Sequence, residues 1–133
     1  MLLTQAFLAA TQPWVDGGWR GDRRVLQISS GLGRSAMASV GSYCAIKAGL
    51  DNFAASVALD QQRLTAGARV VSLAPGIIAT DMQVQLRATD AAAFPNKDTF
   101  VGYHDSGVRS PGRASKPPYC SMPLSCHHSI GVF

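Results

Sequence analysis

The chain has 133 residues, enough for one domain with one sizeable core. Hydrophobic residues make up 47% and charged ones 15%, which suits a buried parallel sheet and excludes a disordered or coiled-coil chain. The formal charge is +4, yet Arg20, Arg23, Arg24, Arg34, Arg63, Arg69 and Arg87 are scattered, with no basic run interleaved with aromatics. Nucleic acid is therefore not an expected partner.

The opening stretch, MLLTQAFLAATQPWV, lacks a basic n-region and breaks its apolar run at Thr4, Gln5, Thr11 and Gln12. It is read as neither a signal peptide nor a membrane span. Leu3, Phe7 and Ala10 fall at helical spacing and predict an amphipathic helix over residues 1 to about 12. No N-cap precedes it, so a missing upstream part is expected. Pro13 and Gly17-Gly18 punctuate its exit, and 16–24 reads as a polar turn.

Residues 25–29 form a short apolar strand, followed by Gly31-Leu32-Gly33. A Gly-x-Gly after a strand can mark a phosphate-binding turn. That fingerprint needs a third glycine where Ala36 stands, and a helix opening at once. Here the helix waits until about Ser39 or Ser42, so the loop is read as a flexible connection that lets Ser30 face a site.

From Ser42 to about Leu64 there is no proline, and Ala45, Ala48, Phe53, Ala54, Val57 and Ala58 supply small and apolar surface to a long helix. Thr65-Ala66-Gly67 ends it. Residues 69–73 read as the next buried strand, stopped by Pro75-Gly76. Helix, strand, helix, strand with crossover-length connections predicts an α/β layer with a parallel sheet. Ligands of such sheets sit at the carboxyl ends of strands, where Ser30 and Pro75-Gly76 both fall.

Residues 82–93 are compatible with a helix carrying Met82, Leu86 and Ala93 on one side, and 94–107 shows no clear period. From Val108 the chain is rich in proline and serine without any acidic residue, and no helix or strand template fits it. The expected division is 1–107 as the folded portion and 108–133 as an irregular tail. Three cysteines at irregular spacing point to a reducing, cytoplasmic setting rather than a disulfide framework. Cys120, Cys126, His127 and His128 match no usual zinc spacing, so no metal is expected. Cys44 is expected to pack under its helix, and His104 to lie on the surface.

Tyr43 and Lys47 are four apart, which on a helix stacks them on one face with Cβ atoms about 5–6 Å apart. Ser30 stands at the end of the strand before them. Ser30, twelve residues, then Tyr43-x-x-x-Lys47 resembles the active-site segment of the short-chain dehydrogenase/reductase family. Ala74-Pro75-Gly76-Ile77-Ile78-Ala79-Thr80-Asp81-Met82 is similar to that family's Pro-Gly…Thr segment. Tyr43-Cys44-Ala45 and Thr80-Asp81-Met82-Gln83 look closest to the branch of sepiapterin reductases and bacterial benzil reductases. The likeness covers roughly residues 2 to 107.

The resemblance implies a partial Rossmann-like, doubly wound parallel sheet that lacks the N-terminal Gly-rich βαβ half. The upstream strands, the Asn that usually joins Ser, Tyr and Lys, and the substrate-side acidic residue near the C-terminus have no evident counterpart. The helix and final strand the family carries after residue 107 are not legible, so an aberrant terminus is expected. A carbonyl reductase delivers hydride to carbon and a proton to oxygen. A tyrosine working as that acid near neutral pH needs roughly 4 kcal/mol of preference for phenolate. An ammonium about 5 Å away, at an effective dielectric of about 20, provides on the order of 3 kcal/mol. An oxidised nicotinamide would add to it.

The resemblance thus assigns Tyr43 as general acid/base, Lys47 as the charge beside it and a binder of the nicotinamide ribose, and Ser30 as the group orienting the substrate carbonyl. Pro75, Gly76, Ile77 and Thr80 would lie against the nicotinamide of NADP, with NAD possible. The implied partners are a small-molecule carbonyl substrate and, through the helix over 42–64, a second copy. Two further readings stand beside this one: a non-catalytic dimerising module derived from such a reductase, and a basic nucleic-acid-binding domain.

Overall fold

The computed structural model describes residues 1–107 and the backbone of 113–114. Helix α1 (Leu2–Asp16) forms where the periodicity predicts it but continues through Pro13. Proline removes one N–H from the ladder and usually ends or kinks a helix. Here Gln12 Nε2 donates to Asp16 Oδ1 at 2.9 Å, and Arg20 Nη1 donates to the Val15 carbonyl at 2.9 Å. The last turn is thus held from both ends.

The face that α1 buries differs from expectation. Thr4 and Thr11 are buried, whereas Leu3 is 87% exposed and Phe7 is exposed. The reason lies on the neighbouring strand, which presents polar groups. Gln27 Nε2 donates to Thr4 Oγ1 at 3.0 Å, and Arg23 Nη1 donates to Thr11 Oγ1 at 3.1 Å. A buried polar group needs a hydrogen-bonding partner, and this demand outweighs the apolar stripe. Leu3 and Phe7 instead rim a hollow of about 330 Å³ beside Val25, Gln27 and Leu50.

Strands β1 (Arg24–Ile28) and β2 (Arg69–Ala74) pair in parallel, with Arg24 opposite Arg69 and Ile28 opposite Leu73. Helix α2 (Gly41–Gln62) makes the crossover that parallel strands require. Gln27 and Ser72 are partners in the register. Gln27 reaches α1 and Ser72 reaches Asp51 of α2, so both helices cover the same face of the sheet. Leu26, Ile28 and Val71 show the opposite face and are exposed. That one-sided cover explains the modest core: among the described residues, the buried apolar side chains are Ala54, Ala68, Ala74, Phe94 and Phe100.

A two-residue strand, β3 (Arg113–Ala114), runs antiparallel against β2, with Ala114 opposite Leu73. The sheet is therefore mixed at this edge. Two residues are too few to display a period of two, which is why the sequence showed no strand there. Helix α3 (Asp81–Ala88) stops short of residue 93, because Thr89 is extended and Asp90 starts a new turn by accepting from Ala92. Helix α4 (Lys97–Asp105) was not expected. Its anchor is a cluster in which the rings of Phe94 and Phe100 are 5.4 Å apart and those of Phe100 and Tyr103 6.1 Å apart.

At the foot of the sheet, Asp22 pairs with Arg24 of β1 and lies 3.8 Å from Arg69 Nη2 of β2. The hydrogen bond from Arg24, with the charge of Arg69, holds its carboxyl below the usual carboxylate range. A lowered folded value means that the stabilisation is complete above the unfolded value of about 3.9 and fades as pH falls through the folded one. The group is fully exposed, so the effect is small and salt-sensitive. Thermal melts of wild type and Asp22→Asn should differ above the ordinary carboxylate value and converge as pH falls through the lowered one. A constant gap would remove the pair from the account.

Candidate active site

Strand β1 ends at Ile28, and Ser30 two residues later caps a 3-10 turn, Gly31–Gly33. The Ser30 hydroxyl oxygen accepts from the Leu32 amide at 3.2 Å. That contact uses a lone pair and leaves the hydroxyl hydrogen available to donate. The turn is not a phosphate cradle. A Cβ on Gly33 would stand 2.8 Å from Asp51 Oδ2 and 3.1 Å from the carbonyl carbon and oxygen of Lys47. Only glycine lets the loop press this closely on α2. The loop is thus fitted to the helix rather than left slack.

On α2 the expected stacking occurs. Lys47 Nζ lies 5.6 Å from the centroid of the Tyr43 ring, and both side chains are half-buried. Lys47 Nζ also donates to the Ile28 carbonyl at 2.9 Å. The ammonium therefore bridges the phenol's helix to the strand end that carries Ser30. Its other donors have no partner among the described residues.

The register carries the second strand to the same place. With Ile28 opposite Leu73, and Ser29 N–H donating to the Leu73 carbonyl at 2.7 Å, Ser30 and Pro75 leave the sheet side by side. Gly76 has φ +82°, a left-handed conformation that suits glycine. Ile77 is half-buried, and Ile78 and Thr80 are exposed. Thr80 is the N-cap of α3, whose backbone carbonyl accepts from Gln83 and Val84, while its hydroxyl makes no capping bond. So the fold brings Ser30, Tyr43, Lys47, Pro75 and Gly76 to one end of the sheet, with Thr80 one short segment further along.

The remaining candidates are elsewhere. His104 is exposed near the end of α4 and faces Asp105 at 3.1 Å. Cys44 is half-buried on α2. Cys120, Cys126, His127 and His128 lie outside the described residues, and no metal-ligating cluster occurs among those described. No helix among them is long and apolar enough to cross a membrane. Two residues of consequence escaped sequence reasoning. Arg23, read as one of several scattered charges, is 4% exposed. Asp51, on the face of α2 one turn after Lys47, carried a signal in its i+4 spacing from a residue already singled out.

Lys47 has ammonium donors that could hold a ribose diol, and Gly76 is left-handed and exposed. The described residues include no glycine-rich strand-turn-helix for a pyrophosphate, since Gly33 is committed to α2.

Comparison with known proteins identifies the family. The family model described as short chain dehydrogenase matches residues 1–91. The chain is 36% identical over 107 residues to a benzil reductase ((S)-benzoin forming) of Bacillus cereus, covering 80% of this chain and 41% of that protein. It is 29% identical over 94 residues to the benzil reductase of Bacillus subtilis (strain 168), covering 70% of this chain and 39% of the other. The chain thus spans about two fifths of the length of these relatives. No solved structure matches it. Residues and relatives together establish that the chain belongs to the short-chain dehydrogenase family.

Proposed function

We propose that this chain carries the proton-transfer half of an NADP-dependent carbonyl reductase, with NAD as the alternative cofactor. The observation that carries the reading is the Lys47 ammonium, held between the Tyr43 ring and the end of β1. The cofactor, when bound, supplies the hydride. Tyr43 gives its phenolic proton to the carbonyl oxygen as that oxygen gains charge. Lys47, 5.6 Å from the ring centroid, places its charge beside the phenolate left behind. Ser30 donates the hydrogen its Leu32 contact leaves free, orienting the same oxygen. Pro75, Gly76, Ile77 and Thr80 form the wall for the nicotinamide.

The relatives' name, benzil reductase, supports an aromatic diketone as the substrate class. Exposed Ile46 and Leu59 on α2 support contact with a second copy through that helix. The cysteine pattern supports a reducing, cytoplasmic setting. A nucleic-acid partner is disfavoured because Arg23 is buried, Arg24 and Arg69 share Asp22, and Arg34 faces Asp51.

Joining the chain to the portion of the Bacillus cereus protein with which it does not align supplies the test. NADPH oxidation on adding benzil is expected, and a folded fusion that reduces no diketone would remove the reading. The 133-residue chain alone is expected to bind NADPH with a Kd weaker than about 1 mM, because the phosphates supply much of the affinity. Cofactor fluorescence showing micromolar binding would overturn that.

A further inference from the structure

The site's three segments meet at a group outside the Ser-Tyr-Lys set. Asp51 lies one turn after Lys47 on α2, and its side chain is 18% exposed. One carboxylate oxygen accepts the Ser72 hydroxyl of β2. The other lies 3.7 Å from Arg34 Nε, has no hydrogen-bond donor among the described residues, and is where the backbone of Gly33 presses in. One carboxylate thus touches the loop after Ser30, the helix of Tyr43 and Lys47, and the strand that leads to Pro75-Gly76. Shielding a carboxylate from water is costly, and an amide or apolar residue would pack here at lower cost.

We propose that Asp51 is a positioning residue. Its charge draws the Ser30 loop through Arg34, and the oxygen that accepts the Ser72 hydroxyl locks the helix to β2, so that the separation of Ser30 from the Tyr43–Lys47 face is set at this point. The functional meaning rests on the reductase reading; the holding itself does not.

Amide hydrogen exchange on the full 133-residue chain separates the two arms. Asp51→Ala removes both and is expected to speed exchange about tenfold in 31–35 and in 71–75. Asp51→Asn keeps an acceptor for Ser72 but loses the charge facing Arg34. It is expected to restore 71–75 to within about twofold of wild type while 31–35 stays fast. Ser72→Ala, the mildest change, should speed 71–75 and spare 31–35. A merely structural role would accelerate α1 (2–16) as well, with no difference between Asn and Ala. That outcome overturns the proposal, as does unchanged exchange in 31–35 or an unprotected 31–35 in the wild-type chain. Exchange does not read turnover, so its failure leaves the reductase reading standing. Failure of the diketone assay would in turn leave the exchange result intact.

Discussion

Tyr43→Phe, in the fusion that supplies the rest of the relative's length, is expected to lower kcat by roughly 10³-fold, the usual reach of a general acid. Phenylalanine keeps the ring, and so keeps the surface 5.6 Å from the Lys47 ammonium and the packing of the first turns of α2. It removes one oxygen and its proton. If that proton goes to the substrate, the loss amounts to about 4 kcal/mol of transition-state stabilisation with little change in KM. Steady-state kinetics on the variant therefore distinguish chemistry from binding. Turnover within about threefold of wild type would show that another group supplies the proton. Lys47→Met should lower both kcat and cofactor affinity, because Lys47 is assigned to the phenol and to the ribose.

Arg23→Ala is expected to cost about 2–4 kcal/mol of stability, the largest effect of a single change away from the site. The guanidinium donates to Thr11 Oγ1 at 3.1 Å and to the Ala66 carbonyl at 2.9 Å. It thereby joins α1, the foot of β1, and the turn between α2 and β2. Alanine leaves one buried and one part-buried acceptor without their donor, and a void where the side chain lay. The Nε of Arg23 has no partner among the described residues, so the arrangement already carries a desolvation cost. Arg23→Met, which removes the charge but keeps most of the stem's volume, should therefore cost less than alanine. Urea melts of the three proteins decide it. An alanine variant within about 0.5 kcal/mol of wild type would mean that the brace contributes nothing net.

The backbone route from sequence to site is short. Tyr43 and Lys47 share a face because a helix repeats every 3.6 residues, and no tertiary contact is needed to bring them together. Ser30 and Pro75-Gly76 mark strand ends because glycine and proline stop strands, and parallel pairing puts those ends side by side. The long uninterrupted α2 and the two apolar strands were legible for the same local reasons. What could not be read locally depends on partners distant in the chain. Thr4 and Thr11 face inward only because Gln27 and Arg23 do, which reverses the polarity that α1 shows alone. Helix α4 persists through an aromatic cluster with no helical period of its own. Asp51 is unremarkable in a helical sequence until Ser72, Arg34 and Gly33 close on it from other segments. Periodicity and turn chemistry are properties of neighbours along the chain, so the sequence by itself determined which side chains could do the chemistry. Burial and hydrogen-bond satisfaction are properties of neighbours in space, and only the folded structure decided what holds those side chains in place.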